Sequence, residues 1–449
     1  MPYIQNTPDD QQQMLETIGA KSIAELFAMV PQDVQLKRLL NLPGALSELE
    51  LTRLMGEITA RNTATIEAVS FLGAGCYDHF IPAAVDTLAS HGNFVTAYTP
   101  YQAEASQGSL IAFFEYQTMI ADLTGMDVSN ASMYDGATAC VEAVIMASSS
   151  GKRNRVIVPD TLHPETVETL RTYLTDLGLE LVLLPTTGGK LDAAFLKAAL
   201  DDRTSCVLVS HPNFFGNLED VQAIGEIAHE AGALSIVSVD PISLGLLKRP
   251  VDYGADIVVS EGQSLGIPMN FGGPFLGIMA CRESLLRKMP GRIVGQTVDR
   301  RGNRCWALTM QTREQHIRRE KATSNICSNQ GLMALRATIY LALAGPEGLK
   351  EAANLSLQKA HYLAEQLTQK TPLQFTFPNV PFFKEFAVTL PESVDADELL
   401  EQLANDGFFG GVSLGRWFPQ HQQTLLMAVT EKRTKQEMDA FVAAMGRRL

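Results

Sequence analysis

Two neighbouring apolar runs are each followed by residues whose types and spacing could support chemistry. Residues 234–239 predict a buried strand that ends at the carboxylate of Asp240. Residues 255–259 predict a second strand, which leads into the short polar loop 260–266 that contains Gln263. A strand-end carboxylate can pair with a protonated ring nitrogen, and a loop one strand later can present an amine to an aldehyde. The spacing therefore predicts the framework of a cofactor pocket.

Many enzymes that use pyridoxal phosphate (PLP) present an aspartate and a Schiff-base lysine in this order. Here the loop offers Gln263 where the lysine would stand. A primary amide delocalises its nitrogen lone pair into the carbonyl, so Gln263 cannot form an imine with an aldehyde. Two interpretations of Asp240 stay open: it could pair with a pyridinium nitrogen, or it could accept a hydrogen bond in the turn at Pro241. We expect a PLP-type pocket in this chain without the covalent chemistry.

Three further segments could line such a pocket. Gly136, Ala137 and Thr138 begin a predicted helix and could hold an anion on free N–H groups, although an ordinary capped helix fits the pattern as well. His163 follows a strand at a helix start, where it could stack on a planar cofactor or be structural. His211 follows the next strand and could line the crevice at the carboxyl end of the sheet.

Composition excludes several classes of function. The formal net charge of −14 argues against a general binder of nucleic acid or of anionic membranes. No segment approaches the roughly 18 consecutive apolar residues of a membrane helix, and the N-terminus lacks the features of a targeting peptide. The six cysteines are far apart, which favours neither a disulfide framework nor a zinc or other metal site. We expect a cytoplasmic protein.

Two shorter signals have alternative interpretations. Residues 287–321 are basic within this acidic chain, and Arg318, Arg319 and Lys321 could form an anion site or a docking surface, or simply a solvated face. Residues 71–78 imitate half of a dinucleotide fingerprint. The third glycine is replaced by Asp78 and the first βαβ unit comes much later, so we reject a Rossmann site.

The order of the predicted elements indicates an α/β protein with three parts. Residues 1–65 form a helical arm that is too small for a core of its own and would wrap the main body or a partner. Residues 66–330 form a large α/β domain, in which the pattern becomes βαβα from about residue 105 and the apolar strands indicate a mostly parallel sheet covered on both faces. Residues 331–449 begin with two helical stretches, 329–344 and 346–369, and continue as a smaller α+β domain.

Three runs together are similar to one family. Residues 96–108, 114–125 and 319–327 resemble the P-protein of the glycine cleavage system, a PLP-dependent glycine decarboxylase. The resemblance implies a fold-type-I transferase-like architecture with a seven-stranded type of sheet. Gln263 and the chain length indicate the alpha-type subunit of the two-chain form. This implies an α2β2 assembly with a lysine-bearing partner subunit that binds the PLP.

The resemblance also implies a reaction. The complex would decarboxylate glycine and pass the aminomethyl group to the lipoyl arm of the H-protein, while this chain completes the site of its partner. One alternative is a non-catalytic binding or regulatory subunit. The other is an independent PLP enzyme that uses a different lysine, for which Lys248 is the best placed.

Overall fold

The computed structural model describes residues 5–149 and 153–449, and its contacts divide the chain into two units. The first unit ends at Thr63 and the second is Ala64–Leu449. From residue 5 to its end, the first unit contains three helices, none of which has a buried residue: α1 (Pro8–Ile18), α2 (Ile23–Leu26) and α3 (Glu48–Thr59). The expected helical character of this part of the chain is confirmed. The predicted boundaries at 65 and 330 stay predictions.

A seven-stranded sheet lies at the centre of the second unit. Its order is β2-β8-β7-β6-β5-β3-β4, and the five strands from β7 to β4 are parallel. The strands are β2 (Val128–Ser129), β3 (Arg155–Pro159), β4 (Glu180–Leu184), β5 (Thr204–His211), β6 (Leu234–Val239), β7 (Ile257–Glu261) and β8 (Gly277–Cys281). This confirms the predicted mostly parallel sheet.

Helices cover both faces of this sheet because its central strands are apolar on both sides. One face and its helices form a core around Ile157, Val209 and Val237, and the other packs around Val158, Leu208 and Ile236. The helices of this region are α4 (Ala83–Ala89), α5 (Gln107–Thr124), α6 (Gly136–Ser148), α7 (Pro164–Leu174), α8 (Ala193–Ala199) and α9 (Val221–Glu230). The short helix α10 (Gln315–Arg318) has no buried residue.

The basic segment contains an antiparallel hairpin that the charge pattern did not predict. It consists of β9 (Ile293–Val298) and β10 (Arg304–Thr309). Arg318, Arg319 and Lys321 follow the hairpin and are exposed.

The C-terminal region adds a four-stranded sheet with helices packed on it. Helix α11 (Gly331–Lys370) is interrupted at Gly345, whose φ of 59° precedes Pro346, so the two predicted helical stretches are confirmed. The sheet order is β11-β12-β15-β14, and β1 pairs with β13 in a separate two-stranded ribbon. The remaining elements are β1 (Val69–Ser70), β11 (Gln374–Phe375), β12 (Glu385–Thr389), α12 (Ala396–Asn405), β13 (Phe408–Phe409), β14 (Val412–Ser413), β15 (Thr424–Ala428) and α13 (Lys435–Arg448).

Within the described residues, none of the helices has the combination of length and apolar character needed to cross a bilayer.

Candidate functional site

A cavity of about 640 Å³ opens at the carboxyl ends of the parallel strands. This is where open α/β sheets bind ligands. Its walls come from the loop after β1, the first turns of α6 and α7, the ends of β5, β6 and β7, the loop before β8, and Glu385 at the start of β12. Every lining residue lies in the second unit.

The register between β6 and β7 brings the two predicted strand ends together. Val239 pairs with Ser260, so Asp240 and Glu261 follow at adjacent positions on neighbouring strands. Asp240, Gly136, Ala137, Thr138 and His163 all line the cavity. The structure therefore collects five of the seven predicted pocket residues at one place.

Asp240 has both a turn contact and a charged partner. Its Oδ1 accepts a hydrogen bond from the backbone N–H of Ile242 at 3.0 Å, as one of the two interpretations expected. Its Oδ2 lies 2.6 Å from Nζ of Lys384, a residue that the sequence analysis did not single out. The side chain of Lys384 is only 2% exposed. A buried ammonium, and not only the turn, therefore compensates this carboxylate.

Gln263 is buried and does not line the cavity. Its Oε1 accepts a hydrogen bond from the backbone N–H of Tyr77 at 3.0 Å, and its Nε2 donates to the carbonyl of Ile267 at 2.8 Å. Both polar ends of the amide are thus satisfied by backbone groups. Its role in this chain is to tie the loop after β7 to the segment after β1.

The N-terminus of α6 is satisfied by carboxylates of this chain. Asp135 is the N-cap, and its Oδ1 accepts from the N–H of Thr138 at 2.8 Å in a capping box. Oε2 of Glu261 accepts from the N–H of Gly136 at 2.9 Å. Two carboxyl side chains of this chain thus take the N–H groups of Gly136 and Thr138, as the capped-helix alternative expected, and an anion site here stays a prediction.

Glu261 also accepts two further backbone hydrogen bonds. Its Oε1 lies 2.9 Å from the N–H of Gln263 and 3.0 Å from that of Leu276. Burial raises the pKa of Glu261 to about 7, while these N–H donors favour the ionised form. Glu261 thereby joins α6, β7 and the strand entry at Leu276.

The two predicted histidines have different places. His163 caps α7 and lines the cavity, where Nε2–H donates to the carbonyl of Ala74 at 2.9 Å and Nδ1 accepts from the N–H of Glu165. Burial lowers the pKa of His163 and keeps it neutral. His211 is buried outside the cavity lining, and its Nδ1 accepts from the N–H of Glu219. Burial lowers the pKa of His211 to about 4.

Several residues of the site were not predicted from the sequence, because they come from distant parts of the chain. Glu385 accepts from the N–H of Ala74 at 2.6 Å and from the hydroxyl of Tyr77 at 2.8 Å. Burial raises the pKa of Glu385 to about 7. The sequence does contain a signal for these residues, since Lys384 and Glu385 are adjacent charges inside the apolar run 381–390. The glycines of residues 71–78, after β1, do not form a Rossmann site, and their sequence did not indicate that this segment lines the cavity.

The cavity offers no activated nucleophile in the described part of the chain. No lysine lines it, and Lys248 is exposed on the surface away from it. Burial raises the pKa of the Cys76 thiol to about 12, so this lining cysteine is un-ionised at neutral pH. The site has the shape of a cofactor pocket, and the lysine nearest to Asp240, Lys384, is held in an ion pair with it behind the cavity lining.

Comparison with known proteins gives matches along nearly the whole chain. A family model described as glycine cleavage system P-protein matches residues 1–445. A protein of Desulfitobacterium hafniense named probable glycine dehydrogenase (decarboxylating) subunit 1 is 50% identical over 99% of both chains. One of the same name from Chlorobium phaeobacteroides is 51% identical, again over 99% of both.

Solved structures give the same fold. A crystal structure of glycine decarboxylase (P-protein) of the glycine cleavage system, in inhibitor-bound form, aligns with a TM-score of 0.90 at 43% identity over 100% of both chains. Alanine–glyoxylate aminotransferase of Nostoc sp. aligns with a TM-score of 0.59 at 17% identity, over 85% of this chain and 95% of that one. The second likeness concerns the fold alone, and it agrees with the fold-type-I expectation.

Proposed function

Because the chain belongs to the P-protein family of the glycine cleavage system, we propose that it is the lysine-lacking subunit of a two-chain glycine decarboxylase. Its curated relatives are subunit 1 of glycine dehydrogenase (decarboxylating), and it matches them from end to end. The chain is thus a component of a hetero-oligomeric enzyme. That enzyme decarboxylates glycine in the glycine cleavage system.

One observation supports the proposal that the partner subunit, and not this chain, binds PLP covalently. At the loop after β7 the chain has Gln263, whose amide is buried and hydrogen-bonded at both ends. This amide cannot form an imine, so the covalent bond to PLP belongs to a lysine-bearing partner subunit. The residues of this chain supply no covalent step. They complete the partner's site and shape the path by which glycine and the lipoyl arm enter.

The partners follow from the same assignment. The lysine-bearing subunit and this chain form an α2β2 assembly, and the lipoylated H-protein accepts the aminomethyl group. The free, widely spaced cysteines suit the reducing cytoplasm in which we place the complex. The exposed cations Arg318, Arg319 and Lys321 provide a surface for an acidic partner.

Glycine–bicarbonate exchange with reconstituted subunits tests the proposal. With H-protein present, we expect exchange from the mixture of this chain and the lysine-bearing subunit, and below about one hundredth of that rate from either alone. Full exchange by the lysine-bearing subunit alone would favour the alternative, a non-catalytic binding or regulatory subunit. Exchange by this chain alone would favour an independent enzyme, which the exposed position of Lys248 does not support.

A further inference from the structure

The cavity contains two positions at which a PLP molecule would make ionic contacts. A strand-end carboxylate pairs with the pyridine nitrogen, and a helix N-terminus holds the phosphate. In this chain those positions are Asp240 and the first turn of α6. Each already has a partner from the same chain, and the charge of that partner has the sign that the cofactor would supply.

Lys384 supplies the cation at Asp240. Its Nζ lies 2.6 Å from Oδ2 of Asp240, 2.8 Å from Nε2 of His79 and 3.6 Å from the ring centroid of Tyr77. An ammonium has three N–H donors, and this arrangement gives it a carboxylate, an imidazole nitrogen and an aromatic face. The ammonium thus meets Asp240 with the charge and donor that a pyridinium N–H would bring.

A second carboxylate fixes the proton positions around Lys384. Oε2 of Glu431 lies 2.6 Å from Nδ1 of His79, so Nδ1–H donates to Glu431 and Nε2 accepts from Lys384. The side chains of His79 and Lys384 are each 2% exposed. Displacing the ammonium from Asp240 would leave a buried charge without its counter-ion, which is strongly unfavourable.

Glu261 supplies the oxygen acceptors at the helix that a phosphate would otherwise bring. Its carboxylate accepts three backbone N–H groups, one of them from Gly136 at the start of α6. Asp135 takes a fourth N–H, that of Thr138. A phosphate at this helix start would have to displace Glu261 and would lie beside a second carboxylate.

We propose that Lys384 and Glu261 act as built-in substitutes for the two charged ends of PLP and exclude the cofactor from this pocket. The missing Schiff-base lysine is then only one of three features that oppose the cofactor, and restoring a lysine at position 263 does not restore a PLP site. The pocket is an ion-paired structural element that holds together β6, β7, α6 and the start of β12. This proposal does not depend on the chain's role in the glycine decarboxylase.

The first test uses PLP and the wild-type full chain. PLP up to 1 mM is added, and thermal unfolding and borohydride-trapped pyridoxyl peptides are measured. We expect a midpoint shift below 1 °C and no stoichiometric pyridoxyl-lysine. A saturable stabilisation at micromolar PLP would overturn the proposal, because ligands that bind the native state raise the midpoint.

The second test separates exclusion by internal charges from the mere absence of a lysine. The variant Gln263→Lys is expected to bind less than 0.1 equivalent of PLP at 50 µM, with an unchanged circular dichroism spectrum as the control for folding. Full occupancy of Gln263→Lys, with the pyridoxyl group trapped at position 263, would show that only the lysine was missing. That result would also overturn the proposal.

The third test removes the substitutes in the Gln263→Lys background. Adding Lys384→Met is expected to tighten PLP binding at least tenfold, and adding Glu261→Gln as well to tighten it further. Lys350→Met, at an exposed helical lysine, is the matched control and should change nothing. Equal PLP affinity with and without Lys384→Met in a folded variant would overturn the role of Lys384. If the multiple variants do not fold, the first two tests still decide whether the pocket excludes PLP.

Discussion

At the scale of single residues, the site depends on a line of buried hydrogen bonds from Glu431 through His79 and Lys384 to Asp240. The four side chains come from the loop after β1, the end of β6 and two places in the C-terminal region. Glu431 also accepts from the N–H of Phe80 at 2.6 Å. Such a network is stabilising only while every member keeps its partner.

The charge of Glu431 gives a prediction for the pH dependence of stability. Burial is the largest single effect on Glu431 and would raise its pKa, but the interactions with His79 and with backbone N–H groups such as that of Phe80 together outweigh it, and the pKa falls from 4.5 to about 2. A lowered carboxyl pKa stabilises the folded state above pH 4.5, and the contribution is lost as the pH falls towards 2. We expect Glu431→Gln to cost about 3 kcal/mol of unfolding free energy at pH 7 and much less at pH 3.

Urea unfolding at both pH values measures this difference. The control is Glu401→Gln, at an exposed residue of α12, which should change the unfolding free energy by less than about 0.5 kcal/mol at either pH. An equal loss for Glu431→Gln at pH 7 and pH 3 would mean that its effect is steric and that the charge is irrelevant.

At the scale of elements, the site requires α6 to start against the end of β7. Gly136 permits this approach, since a Cβ there would lie 2.8 Å from Cβ and 2.9 Å from the backbone nitrogen of Glu261. The same approach lets Glu261 reach the first N–H of the helix. The close packing of α6 against β7 and the hydrogen bond from Gly136 to Glu261 therefore depend on one another.

Gly136→Ala is expected to separate the helix start from the strand. Overpacking against backbone should lower the unfolding free energy by about 1–3 kcal/mol, because backbone cannot rotate away as a side chain can. The matched control is Gly108→Ala near the start of α5, where no heavy atom lies within 4 Å of the added Cβ. We expect the control to be neutral or to stabilise by up to about 1 kcal/mol. Thermal unfolding of both variants measures this, and equal behaviour would contradict the prediction.

At the scale of the whole molecule, the described residues of the first unit include many apolar side chains and form no core of their own. None of the residues in its three helices is buried. Leu39 is 93% exposed and Met29 is 88% exposed, and several further leucines and isoleucines of this unit are 42–70% exposed. So much exposed apolar surface indicates a protein interface. The sequence analysis expected this unit to wrap the main body or a partner, and we predict that in the proposed assembly it contacts the lysine-bearing subunit.

Polar substitutions in this unit should weaken the assembly. We expect Met29→Asp and Leu39→Asp together to raise the dissociation constant for the lysine-bearing subunit at least tenfold, because two apolar contacts are lost and two charges are desolvated. The thermal midpoint of the isolated chain should stay within 1 °C. Leu177→Asp, at a 52% exposed residue of the second unit, is the control and should leave assembly unchanged. Sedimentation velocity of the mixtures measures this, and unchanged assembly by the double variant would contradict it.

The sequence by itself determined the features that depend on local patterning. The apolar runs predicted the parallel strands, and the helical stretches 329–344 and 346–369 were predicted with the interruption at Gly345 that the structure has. Gln263 could be interpreted without a structure because an amide lacks the chemistry of an amine wherever it lies. Three long motifs identified the family, which the comparisons confirmed.

The tertiary structure alone decided which charges meet. Lys384 lies 144 positions after Asp240 in the chain, and no periodicity links them, yet their side chains form an ion pair of 2.6 Å. The reach of Glu261 to α6 likewise depends on the packing of a helix against a strand. Burial makes these pairings necessary, because a buried charge without a partner is unfavourable. The sequence does not show which partner each charge has. The predicted pocket was therefore visible in the sequence, whereas the groups that fill its charged positions were not.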